Sequence, residues 1–159
     1  MEKTVKDSKT TMTQTVFPND VNNNGTLFGG RLLDWIDTIA GIVAKRHCRS
    51  GVVTASIDSL NFLNPIFQSD IVNLEAWVNY VGRTSMEIEV RVTSENPITG
   101  ETTKTCRAFL TYVAIGPRGK PVEVPRLILE NEEERERCEM GKERRSERLQ
   151  LLKLEPVEW

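Results

Sequence analysis

Residues 31–47 read RLLDWIDTIAGIVAKRH. Apolar side chains recur at Leu32, Leu33, Trp35, Ile36, Ile39, Ala40, Ile42 and Val43, which together cover most of the circumference of a 3.6-residue helix. A helix apolar nearly all round is enclosed by other structure rather than laid on a surface. Lys45, Arg46 and His47 fall in its last turn, where the helix dipole favours cations, and Arg49-Ser50-Gly51 stops it. Ahead of it lies NDVNNNGTLFGG, residues 19–30, a loop dense in Asn and Gly.

Working outward, the periodicity changes from helical to alternating. Residues 52–63, 71–81, 85–95 and 102–116 each alternate apolar and polar side chains, and turn-forming segments NPIFQSD, VGRT and NPITG separate them. A shorter strand is predicted at Thr13–Phe17, ended by Pro18. Residues 1–12 read as a polar, frayed lead-in. Residues 127–159 form a charged helical extension whose mixed-sign run ENEEERERCEMGKERRSERL reads as a solvated helix with i,i+4 Glu/Arg pairs. The predicted class is α+β: one buried helix with an antiparallel sheet wrapped around it, because a helix so apolar needs a sheet to enclose it. The domain itself spans residues 13–126.

Composition narrows the chemistry. With 21 Lys+Arg against 23 Asp+Glu and a net charge of −2, the chain lacks the concentrated basic surface of a nucleic-acid binder. No run approaches the ~18 apolar residues of a membrane span, and MEKTVKDSKT has no apolar core of a secretory signal. His47 is the single histidine, so a histidine-rich metal site cannot be built. Cys48, Cys106 and Cys138 are odd in number and widely spaced, which indicates reduced thiols in a cytoplasmic protein rather than a disulfide framework. An enzyme of this composition is expected to use carboxylates, amides and backbone donors.

Two features carry that chemistry. Gly25, Gly29 and Gly30 clear side chains away from the start of the helix, where unpaired N–H groups can hold a developing oxyanion, although a glycine-rich loop can equally just shape a turn. Asp37 has Leu33, Asp34, Ala40 and Gly41 as helical neighbours, a face of mainly small residues open to close approach. In apolar surroundings its pKa would rise and suit a general base; tied to backbone groups, it would be structural. Asp34 lies on the stripe of Arg31, Thr38 and Lys45 and reads as a solvated ion pair. His47 reads as structural, Cys106 as core, and Ser56 and Ser59 have no base beside them. Asp58 and Asn61 read as polar edge positions. Gly82-Arg83-Thr84-Ser85 and Arg118-Gly119-Lys120 are basic turns of the kind that can contact phosphate, though most such turns are simply solvated.

The set Asn22-x-x-Gly25-x-x-x-Gly29-Gly30, Trp35-x-Asp37, VVTASIDSLNF and GRTSMEIEV resembles the acyl-CoA thioesterase family with the hot-dog fold, from about Thr13 to Pro125. The resemblance implies a long central helix wrapped by a curved antiparallel sheet, homodimers with active sites at the subunit interface, and assembly into a trimer of dimers. It also implies that Asp37 and Asn22 serve hydrolysis of an acyl-CoA thioester, with Asn22 supplied by the other subunit. Asp37 would act as general base or, alternatively, as a nucleophile giving an anhydride. Where many relatives have His before the paired glycines this chain has Phe28, leaving the backbone N–H of Gly30, beside Gly29, as oxyanion donor. Arg83, Thr84 and Ser85 would hold the phosphate portion of coenzyme A, with Arg118 and Lys120 as further contacts. The competing readings are a non-catalytic acyl-CoA-binding regulator and a hydroxyacyl-thioester dehydratase; the latter generally needs a loop histidine, which this chain lacks.

Overall fold

The computed structural model describes residues 1–154, so the last five residues of the charged extension lie outside the described residues. In chain order the elements are β1 (Glu2–Thr4), α1 (Val5–Ser8), β2 (Thr10–Thr15), α2 (Gly29–Cys48), β3 (Gly51–Phe62), β4 (Ile71–Val81), β5 (Ser85–Glu95), β6 (Thr102–Ile115), β7 (Arg126–Ile128) and α3 (Glu132–Leu154). Five strands form one antiparallel sheet in the order β2-β4-β5-β6-β3, and α2 packs across its inner face. Alternation along the strands supplies that face: Val72, Leu74, Ala76 and Val78 from β4, Met86, Ile88, Val90 and Val92 from β5, and Ala108, Leu110 and Tyr112 from β6. They meet Leu32, Ile36, Ile39, Ala40, Val43 and Ala44 of α2 in one core. This is the hot-dog arrangement.

Three expectations from the sequence need correction. First, α2 is not enclosed on all sides within one chain. Leu33, Trp35, Asp37, Gly41 and Ile42 are only half-buried, and Thr38 is exposed. The strand beside this open stripe, β3, is a 12-residue edge strand that exposes Val53, Ile57 and Phe62. A long apolar edge of this kind is a pairing surface, and proteins ordinarily cover it.

Second, the N-terminal residues are not a frayed lead-in. β1 pairs in parallel with β7, Val5 and Ser8 of α1 are buried, and β2 starts at Thr10 because Thr10–Thr15 pairs with Ala76–Ile71. Lys3 Nζ donates to the carbonyl of Arg46 (2.5 Å), and Arg46 donates to Thr10 Oγ1 (2.9 Å). A cation thus sits on the last turn of α2, whose carbonyls have no helical partner.

Third, α3 is docked rather than solvated along its length. Arg144 makes two hydrogen bonds to the carboxylate of Glu87 on β5 (3.0 and 2.6 Å), and Arg148 reaches Asp58 on β3 (2.6 Å). The Arg144 guanidinium lies 3.7 Å from the ring centroid of Phe109, and that of Arg137 lies 4.5 Å from Trp77. The helix covers the outer face of the sheet through arginines stacked on aromatic rings. Gly141 allows the approach, since a Cβ there would stand 3.0 Å from both Tyr80 and Glu87.

His47 is structural, as read from the sequence. It is fully buried at the end of α2, and its Nε2 lies 2.9 Å from the Pro125 carbonyl, to which it donates in the neutral form, while Nδ1 has no partner among the described residues. Burial holds its pKa below the ordinary 6.5, more than offsetting the Pro125 hydrogen bond. The unfolded chain therefore takes up a proton that the folded chain refuses. Stability is fully present above pH 6.5 and declines as pH falls below it. We expect the melting temperature to drop as pH falls below 6.5, with that slope reduced in His47→Gln. An equal slope in the variant would contradict this account.

Candidate active site

The polar part of the site is built by register. Thr54 of β3 stands directly opposite Tyr112 of β6, on the face toward α2, and a bulge follows at once between Thr54 and Ser56. Such bulges re-aim side chains. Both hydroxyls converge on one oxygen of Asp37: Thr54 Oγ1 donates to Oδ1 at 2.9 Å, and Tyr112 Oη lies 2.5 Å from the same atom. Tyr112 Oη also reaches the main-chain carbonyl of Asp37 at 2.8 Å. No ion pair engages Asp37 among the described residues, and Oδ2 has no hydrogen-bond partner among them. The apolar setting expected for this carboxylate is thus replaced by two hydroxyls on one side and an open oxygen on the other. Burial pushes the Tyr112 phenol up from its ordinary 10, and its bond to the carboxylate adds to the rise, so the phenol keeps its proton.

The helix start is open in the way the glycines suggested. Phe28, the residue before α2, offers no side-chain cap, and the first helical hydrogen bonds run from Arg31 and Leu32 to the Phe28 carbonyl. The N–H groups of Gly29 and Gly30 are left pointing out of the helix end. A Cβ on Gly30 would stand 2.7 Å from the Phe28 ring, so any side chain here would displace it. A cavity of about 370 Å³ lies alongside, lined by Leu27, Gly29, Leu32, Phe62, Leu63 and Ile66.

Asn22 belongs to this second group. Its side chain closes its own turn, with Oδ1 accepting from the Asn24 and Thr26 amides (2.9 and 3.3 Å) and Nδ2 donating to Thr26 Oγ1 (2.9 Å). Asp20, in the same loop, pairs with Arg31 (3.1 Å) and accepts from the Phe17 amide, tying the loop to the helix start. Asn22, Gly29 and Gly30 thus belong to one loop and helix start, linked through Asp20. Gly30 and Asp37 are separated by seven residues of helix, about 10 Å of rise, so within one chain they lie two turns apart.

The basic turns come together with each other. The Thr84 carbonyl accepts from Ala114 and the Arg83 carbonyl from Val124, while the Lys120 carbonyl closes the Gly116–Lys120 turn. Ser85 pairs with Val113, next to Tyr112, so both turns lie at the end of the sheet nearest Asp37 rather than beside Gly30. Arg83, Arg118 and Lys120 are exposed. Asp34 makes its expected pair with Arg31 at 3.4 Å. Cys106 is buried, and burial pushes its thiol up to about 11, far from a reactive thiolate. The sequence reading missed Thr54 and Tyr112. The stretch VVTASID was recognised, but the cross-strand register that brings Thr54 to Tyr112 is a tertiary fact.

A long helix packed across a five-stranded antiparallel sheet defines the hot-dog fold. The chain matches the Thioesterase superfamily over residues 24–101. It is 54% identical over 129 residues to the Bacillus subtilis protein named uncharacterized acyl-CoA thioester hydrolase YkhA, covering 81% of this chain and 75% of that protein. It is 38% identical over 144 residues to the cytosolic acyl coenzyme A thioester hydrolase of Rattus norvegicus, of which the match spans only 38%. Among solved structures, an apo-hexameric acyl-CoA thioesterase superposes with a TM-score of 0.93 at 44% identity, covering 97% of this chain and 99% of that one. The acyl-CoA hydrolase of Staphylococcus aureus, solved with butyryl coenzyme A and coenzyme A, gives 0.86 at 36% identity, covering 93% and 90%. The chain belongs to the acyl-CoA thioesterase family of hot-dog proteins.

Proposed function

We propose that the protein hydrolyses acyl-CoA thioesters at sites shared by two copies of the chain, one copy supplying Asp37 and Thr54 and the other Asn22, Gly29 and Gly30. The observation that carries this reading is the converging geometry on Asp37, joined to a coincidence of spacing. The Staphylococcus aureus hydrolase was also solved with single alanine replacements of an Asn, an Asp and a Thr, the Asp lying fifteen positions after the Asn and seventeen before the Thr. Asn22, Asp37 and Thr54 have the same spacing here.

In this reading Oδ2 of Asp37 takes a proton from water as the water oxygen attacks the thioester carbonyl. The N–H groups of Gly29 and Gly30 hold the oxyanion, and Asn22 orients water or carbonyl. The tetrahedral intermediate collapses by expelling the coenzyme A thiolate, which receives the proton from Asp37. The acyl chain occupies the apolar cavity beside Gly29, and Arg83, Thr84, Ser85, Arg118 and Lys120 are available to the coenzyme A phosphates. No metal or redox cofactor takes part. A second copy on the exposed β3 edge would cover Val53, Ile57 and the open stripe of α2, and the hexameric neighbour supports further assembly into a trimer of dimers. A cytoplasmic location fits the reduced cysteines and the cytosolic relatives; no helix among the described residues is long and apolar enough to cross a membrane. The dehydratase alternative loses ground because His47 is sealed against Pro125 at the far end of α2. A regulator that only binds would show no turnover.

Complementation tests the sharing. Asp37→Asn and Asn22→Ala homodimers are each expected to be nearly inactive. After mixing with subunit exchange, half the dimers are hybrids carrying one intact site, so activity should recover to about a quarter of wild type. Failure to recover, with exchange confirmed by mass, would place both residues in one subunit's site.

A further inference from the structure

We propose that Tyr112 is a positioning residue for hydrolysis, holding Oδ1 of Asp37 so that Oδ2 alone faces the water. The inference rests on Asp37 acting as the base. Tyr112 Oη is 2.5 Å from Asp37 Oδ1 and 2.8 Å from the Asp37 carbonyl, so its one proton can serve either the side chain or the main chain of the same residue. Two donors converging on Oδ1, Tyr112 and Thr54, hold the carboxyl in one orientation, which Thr54 alone at 2.9 Å would leave free to rotate. Gly41, one turn after Asp37, lies beside the phenol, and a Cβ there would make ordinary contact with its ring and hydroxyl at 3.8 Å. Tyr112 is 2% exposed and is itself located by pairing with Thr54 and Met86, so its hydroxyl has a fixed address.

One phenolic proton faces two acceptors. While Asp37 is ionised, the proton goes to Oδ1 as a charge-assisted bond, the stronger of the two choices. Turning the same proton toward the main-chain carbonyl leaves the phenol oxygen free to accept from Asp37 when the carboxyl is protonated. Tyr112 thus serves both protonation states of the base without moving the ring. At 2% exposure and bonded to Asp37, it acts through that residue.

Tyr112→Phe keeps the ring and removes the grip. In the assembled, folded variant kcat is expected to fall roughly 10- to 100-fold through loss of alignment, while KM changes less than about 3-fold. Incorporation of 3,5-difluorotyrosine at position 112, which keeps the ring and the hydroxyl, should hold kcat within about 3-fold of wild type. A carbon-13 spectrum at one pH should show the Asp37 carboxyl resonance displaced in that variant, which reads the Tyr112–Asp37 bond without substrate and serves if the phenylalanine variant assembles poorly. An unmoved resonance, or kcat within 2-fold of wild type in Tyr112→Phe, would overturn the role of Tyr112 alone. Retained turnover in Asp37→Asn would overturn the base beneath it.

Discussion

Asp37→Asn is expected to lower kcat for acyl-CoA hydrolysis by ~10²- to 10⁴-fold, the range associated with losing a positioned general base. The substitution is chosen to change little else. Asparagine has nearly the same volume, and its carbonyl oxygen can still accept the hydroxyls of Thr54 and Tyr112. The amide nitrogen that replaces Oδ2 cannot take a proton from water. Because the loss falls on the chemical step and not on ground-state contacts, KM should move little. Far-ultraviolet circular dichroism and gel filtration should be unchanged. Turnover within about 3-fold of wild type would remove Asp37 from the mechanism. Wild type turned over repeatedly in oxygen-18 water should place the label in the fatty acid and none in the peptide bearing Asp37. Label in that peptide would mean that an anhydride forms and is opened by water.

How much of this was legible in the amino-acid sequence depends on the range of the interactions concerned. β4 and β5 are where alternation put them, 71–81 and 85–95, because both lie inside the sheet with one apolar face each. α2 was legible as a helix, but it begins at Gly29, two residues before its periodic run, since the glycines sit inside the helix rather than ahead of it. Its apolar girth was read as enclosure, and one chain encloses only one side of it. Asp37 and the open glycine start were legible because a helix fixes its own neighbours. Thr54 and Tyr112 were not: they are 58 positions apart, and only strand register and a bulge bring them to the same carboxylate oxygen. α3 failed for a related reason. Its Glu/Arg pattern satisfies itself along the helix, as in Arg137–Glu133, and nothing local reveals that Arg144 and Arg148 have partners on the sheet.

The outer face of the sheet yields the second large expectation. Glu89→Ala should destabilise the protein by about 3 kcal/mol, toward the lower end of what breaking a buried ion pair costs. Glu89 is fully buried, with Asn79 donating to Oε1 at 2.9 Å and Arg91 and Arg107 donating to Oε2 at 2.6 and 3.2 Å. Arg91 and Arg107 stand directly opposite each other on β5 and β6, a like-charge pair that is unfavourable without an anion between them. Alanine removes that anion and leaves the Asn79 amide short of an acceptor. The cost stays near the lower end because the two arginine side chains are 45% and 47% exposed and keep contact with water. At fixed protein concentration, which matters for an assembling protein, the melting temperature should fall by roughly 6–12 °C. Burial alone would raise the Glu89 pKa, but the bonds from Asn79 and Arg91 and the charges of Arg91 and Arg107 bring it below the ordinary 4.5. The stabilisation is therefore complete above pH 4.5 and lost as pH falls through the lower folded-state value. The gap between wild type and Glu89→Ala should narrow below pH 4.5, while Glu89→Gln, which keeps the contact to Asn79, should lie between them. Turnover at 25 °C should be retained in both variants, because Phe109 and Glu89 face away from α2 whereas Tyr112 faces it. A loss of stability under about 0.5 kcal/mol, the scale of an ordinary surface change, would show that water alone can hold the two arginines in place.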